Sequence, residues 1–61
     1  MRWRIYYYSV SGYLIDISFD LNGTKEEAEE YAKQRAAVLE EETPIEAPVT
    51  YKIEQDEEEE T

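Results

Sequence analysis

Cysteine and histidine are both absent from this 61-residue chain, glycine and proline occur only twice each, and six basic residues face sixteen acidic ones. Without cysteine there are no disulfides, and without cysteine or histidine a structural zinc site has none of its usual ligands. The missing histidine removes the one side chain whose ordinary pKa lies near neutrality, and with it the simplest route to general acid–base catalysis. Nucleophiles activated by an imidazole are excluded outright. No apolar run approaches the roughly 18 residues that a membrane-spanning helix needs. Met1-Arg2-Trp3-Arg4 leads into alternating rather than continuous apolar residues, which does not read as a signal peptide. The expectation is a soluble, cytoplasmic chain that is not an enzyme and holds neither cofactor nor metal.

What is present fits one domain at most, because chains of this size bury only about 60% of their unfolded surface. Small domains without disulfides or metals are left with self-association as a stabilising device. The net charge of −10 is uneven. Residues 1–25 carry Arg2, Arg4 and Lys25 against Asp16 and Asp20, a net of +1; residues 26–61 carry the remaining −11. Such a field repels phosphates and anionic membrane surfaces over roughly 8 Å at physiological salt. Nucleic acid is therefore a disfavoured partner, and a membrane is not one.

Residues 2–10 and 13–21 are rich in tyrosine and isoleucine and flank Gly12, the signature of a hairpin. A two-residue loop at Ser11-Gly12 would pair Ile17 with Tyr6 and set Phe19 beside Arg4. A three-residue loop, Val10-Ser11-Gly12, puts Gly12 on the left-handed position that ends such loops. It pairs Trp3 with Phe19, Ile5 with Ile17 and Tyr7 with Ile15. The preferred register is the second, with Trp3, Ile5, Tyr7, Tyr13, Ile15, Ile17 and Phe19 on one face. Arg2, Arg4, Tyr6, Tyr8, Leu14, Asp16, Ser18 and Asp20 then share the other, and Arg2 falls opposite Asp20.

Leu21-Asn22-Gly23 ends the second strand. Thr24 with Glu27 forms a capping box, and Glu26, Glu27, Glu29 and Glu30 suit the positive end of a helix. The helix is predicted from about Lys25 to about Glu41, ended by Thr43-Pro44. Its apolar stripe reads Ala28, Tyr31, Ala32, Val38 and Leu39, with Ala36 at the edge. Arg35 lies within that stripe; it reads as a stem whose head reaches the rim, with pairing to an aspartate or a tyrosine hydroxyl as the sharper alternative. Residues 49–54 alternate again, with Val49, Tyr51 and Ile53 on one side. Gln55 to Thr61 is almost wholly acidic and reads as a disordered tail.

The fold class is therefore α+β, a two-layer ββαβ arrangement over residues 1–54. A three-stranded antiparallel-type sheet of order 2-1-3 carries one helix on one face, with residues 55–61 as the tail. This order, with the helix start from Thr24 to Ala28, is similar to several small ββαβ families and resembles the N-terminal domain of HicB-type antitoxins. The resemblance covers one helix start and a topology, and no residue roles follow from it.

The uncovered sheet face is the candidate interface: Arg2, Arg4, Tyr6, Tyr8, Leu14 and Lys52. Tyrosine and arginine are the types enriched where protein contacts are strong, although tyrosine also simply favours strands. The expected function is a small non-enzymatic protein–protein interaction module, homodimeric through this face or through a strand edge. Glu40-Glu41-Glu42 opposes the helix dipole, so that either the helix frays there or a cationic partner compensates. That anomaly motivates a second reading, an acidic mimic of nucleic acid that binds a basic protein. A weak single-stranded nucleic-acid binder, stacking bases on the tyrosines, is the third. Asp16 and Asp20, about 13 Å apart along a strand, are too distant for the carboxylate pairs of glycosidases, which sit about 5–9.5 Å apart.

Overall fold

The computed structural model describes residues 1–55. The run Asp56 to Thr61, most of the acidic tail expected from the sequence, lies outside the described residues. Strand β1 spans Arg2–Tyr8, β2 Leu14–Asn22, helix α1 Lys25–Glu42 and β3 Thr50–Gln55, with a 3-10 turn at Pro44–Glu46. The sheet order is β2-β1-β3, with β1 antiparallel to both neighbours. The two-layer α+β arrangement matches the sequence reading, and Gln55 joins β3 rather than the tail.

Local chemistry accounts for each element. The β1–β2 loop is the three-residue one: Ser9 N–H bonds to Tyr13 O at 2.8 Å, Gly12 N–H bonds to Ser9 O at 2.9 Å, and Gly12 has φ of +92°. The buried Ser9 hydroxyl accepts the Ser11 and Tyr13 amides. At the start of α1, Thr24 Oγ1 accepts from Glu27 N–H at 3.1 Å while Glu27 Oε1 accepts from Thr24 N–H at 3.0 Å, the reciprocal capping box. The helix closes with the Thr43 amide and hydroxyl both on Leu39 O. It does not fray before Glu40. Instead the Glu40 carboxylate accepts the Val49 amide at 2.8 Å and anchors the start of β3. One of the three acids that oppose the helix dipole is thus used within the chain.

The helix buries Ala28, Ala32 and Ala36, at i, i+4 and i+8, with Leu39 partly buried against the same core. Tyr31 and Val38, expected within the stripe, stay exposed, and Ala36, expected at its edge, is buried. A row of methyl groups lets the helix approach the sheet closely, so only small side chains occupy the contact line. Beneath it, Ile5 and Tyr7 are wholly buried. Each contributes about 1.5–3 kcal/mol of apolar burial. Tyr51 and Ile53 of β3, with Val49 just before it, complete this core, on the face their alternation predicts. The helix rests mainly on β1 and β3 and stands off β2.

The β1–β2 register departs from the sequence reading after one pair. Tyr8 faces Leu14 as expected, but Tyr7 then faces Asp16, Tyr6 faces Ile17 and Ile5 faces Ser18. The extra residue on β2 near Ile15 is a bulge, which exchanges the two faces of the strand over Asp16–Phe19. A second shift between Ser18 and Leu21 contains Asp20, whose φ is +55°. It returns Leu21 to the helix side opposite Trp3. Ile17 and Phe19 thus belong to the open face, while Asp16 and Ser18 belong to the helix side. This corrects the expected pairs Ile5–Ile17, Tyr7–Ile15 and Trp3–Phe19. Arg2 likewise faces Asn22 instead of Asp20, although it still approaches Asp20 at 3.8 Å.

Candidate functional site

Strands β1 and β3 have a regular mutual register, and this fixes most of the open face. Arg4 lies beside Glu54, Tyr6 beside Lys52 and Tyr8 beside Thr50. Across the other flank Tyr6 meets Ile17 and Tyr8 meets Leu14. Of the six residues proposed from sequence, Arg4, Tyr6, Tyr8, Leu14 and Lys52 therefore converge on one surface, with Arg2 at its rim.

Two residues of this surface were assigned to the core by the sequence reading. Ile17 sits between the tyrosine row and the sheet edge, and Phe19 stands 57% exposed. Phe19 lies under the Arg4 guanidinium, 5.7 Å from its carbon to the ring centroid, a cation–π arrangement. Arg4 Nη1 also donates to the Tyr6 hydroxyl at 3.1 Å. The face thereby presents a row of aromatic and aliphatic groups, Tyr8, Leu14, Tyr6, Ile17 and Phe19. Charge lies along the β3 flank, where Lys52 beside Tyr6 and Glu54 beside Arg4 pair at 3.4 Å, and at the Arg2 end. Arg2, Arg4 and Lys52 against Asp20 and Glu54 make the face +1, on a chain whose total is −10.

Opposite this surface, the gap left between α1 and β2 contains a polar seam. Arg35 Nε and Nη2 both donate to Asp16 Oδ2, at 2.9 and 2.7 Å, and that bond raises the Arg35 pKa further above its already high value. The Tyr7 hydroxyl meets Ser18 Oγ at 3.0 Å. Burial pushes the Tyr7 pKa upward, and the Ser18 bond only partly offsets it. Beyond the seam, Trp3, Leu21, Ala28 and Tyr31 line a cleft of about 330 Å³. Trp3 Nε1 is used within the chain, donating to Gly23 O at 2.9 Å.

Neither region assembles a nucleophile with a base. Asp16 and Asp20 no longer share a face, and Asp16 is occupied by Arg35. Among the described residues no group of three or more carboxylates is arranged to hold a metal ion. No helix in the described residues is long and apolar enough to cross a membrane. No family model, curated protein or solved structure matches this chain.

Proposed function

We propose that this chain is a small non-enzymatic interaction module that self-associates through the open face of its sheet. The observation that carries the reading is the row Tyr8, Leu14, Tyr6, Ile17 and Phe19, apolar in character and uncovered by any described element, in which Leu14 and Phe19 are half or more exposed. A second copy is the occupant proposed, and this face is where charge opposes it least. Two chains of −10 repel each other least across a face that bears +1. The thin core points the same way, since among the described residues only Ile5 and Tyr7 of the large side chains are wholly buried, and a second copy would add apolar burial. Covering the exposed parts of Leu14 and Phe19 on both copies contributes roughly 1 kcal/mol per side chain. Four such side chains supply about 4 kcal/mol, which corresponds to a contact of about millimolar strength.

Sedimentation equilibrium tests this directly. The wild-type chain is expected to associate, and Phe19→Asp or Tyr8→Ser to weaken association about tenfold or more while the far-UV helix signal is kept. A wild-type chain that remains monomeric to millimolar concentration overturns the reading. Association indifferent to both substitutions removes the open face from it.

One observation favours a second reading. Phe19 joins Tyr6 and Tyr8 beside Arg4 and Lys52, the combination on which single-stranded bases stack. Tyrosine fluorescence quenched by an oligonucleotide at low salt would support it; an unchanged signal would dismiss it. The acidic-mimic reading loses part of its motive, because Glu40 already serves Val49.

A further inference from the structure

Of the two strand edges, β2 and β3, one is broken and one is not. β2 carries two register shifts and a left-handed residue, devices that spoil an edge for pairing. β3 pairs six consecutive residues with β1 without a shift, from Gln55 opposite Trp3 to Thr50 opposite Tyr8. No described strand lies on its far side. Pro48 precedes the strand and limits pairing to it.

We infer that β3 of a second copy adds antiparallel to this edge about a two-fold axis at Ile53, joining two sheets into one of six strands. The register follows from counting. Keeping the open faces on one side requires that a residue pair with its own copy at the axis, since other registers exchange the faces. Only axes at Lys52 or Ile53 then pair five residues of Thr50–Gln55. An axis at Lys52 sets that ammonium against its own copy, which is unfavourable. An axis at Ile53 sets Lys52 opposite Glu54 of the second copy, twice, with Ile53 against Ile53. The Lys52–Glu54 pair within one chain is then continued across the joint. Both α1 helices lie on the same side, and the two open faces become one surface. This contact goes beyond the face contact proposed above and is independent of it.

The test uses the Phe19→Asp chain, in which the face contact is disabled. Adding Lys52→Glu makes both cross-joint pairs acidic, and adding Glu54→Lys instead makes both basic. Each is expected to weaken association about tenfold, whereas an equimolar mixture restores it, because every pair in the mixed dimer is then opposite in charge. A mixture no tighter than its components overturns the edge contact, as does a monomeric Phe19→Asp chain beside an associating wild type; in the latter case the face contact stands. Association that survives Phe19→Asp and follows the charge swap supports the edge, whatever becomes of the face. Should Glu54→Lys unfold beside Arg4, single cysteines decide. Ile53→Cys is expected to form a disulfide-linked dimer on oxidation, since directly opposed residues lie about 4.5–5.5 Å apart. Thr50→Cys is expected not to, its copy being roughly 20 Å away. Equal cross-linking of the two overturns the register.

Discussion

Arg35 places two nitrogens on one oxygen of Asp16, and with that bond it spans the gap between a helix and a strand that otherwise stand apart. The pair explains why the faces of β2 are exchanged. Without the bulge near Ile15, Asp16 would point to the open face and Ile17 to the core, leaving Arg35 over an apolar floor with no acceptor. The bulge costs one unpaired residue and brings Asp16 beneath the guanidinium. It also sets Ser18 against the Tyr7 hydroxyl, which would otherwise be buried without a partner at a cost of about 1–3 kcal/mol.

A double-mutant cycle measures this tie. The side chains are 40% and 28% exposed, so solvent screens part of the attraction. Asp16→Asn and Arg35→Gln are each expected to cost about 1 kcal/mol, with a coupling of roughly 0.5–1 kcal/mol. Urea denaturation of the four chains gives the cycle. Strictly additive losses would show that the contact holds nothing in place.

The buried Tyr7 hydroxyl gives the fold an alkaline limit. Its folded pKa lies above the ordinary value of about 10 because burial disfavours the phenolate. The neutral form is therefore the one the fold selects. The associated stability is fully present below about pH 10 and is lost as pH rises through the folded value. Tyr7→Phe is expected to cost about 1 kcal/mol at neutral pH, since Ser18 Oγ loses its partner, yet to lessen the loss of stability above pH 10. Helix ellipticity followed from pH 8 to 12 in both chains decides; parallel curves would exclude Tyr7 as the cause.

Much of this architecture is legible in residue types. Thr24 with Glu27 announces the helix start, Pro44 its end, Gly12 the loop, and Tyr51 and Ile53, with Val49 just before the strand, the inner side of β3. Tyr6 and Tyr8 are assigned to the open face correctly because β1 runs without interruption against β3. The middle of β2 is misread because a bulge is one extra backbone residue with no required side chain. Ile15, Ile17 and Phe19 alternate as an inward row would, and Asp16 and Ser18 as an outward one. The contrary signal lay on another element. Arg35, within the apolar stripe of α1, calls for an acid on the sheet, and Asp16 is the nearest candidate once one slip is allowed. Phe19 and Ile17 were missed as members of the candidate surface for that reason alone.

Gly23 is the position where backbone, cap and strand meet, and its substitution tests all three. Its φ of +138° suits only glycine. Its amide donates to Met1 O at 3.0 Å and its carbonyl accepts Trp3 Nε1, tying both ends of the hairpin. A Cβ there would meet the Glu27 carboxylate that closes the capping box. Gly12, at φ of +92°, has open space around the same position. Gly12→Ala should therefore cost only the backbone term, about 1 kcal/mol. Gly23→Ala adds the displaced carboxylate, for a total of about 2 kcal/mol. In a Glu27→Ala background the part due to the carboxylate should vanish, leaving the strain of a φ of +138° alone. Urea midpoints of these chains check the sequence of costs, and equal losses at the two glycines would show that Glu27 yields freely and contributes no closure to the cap.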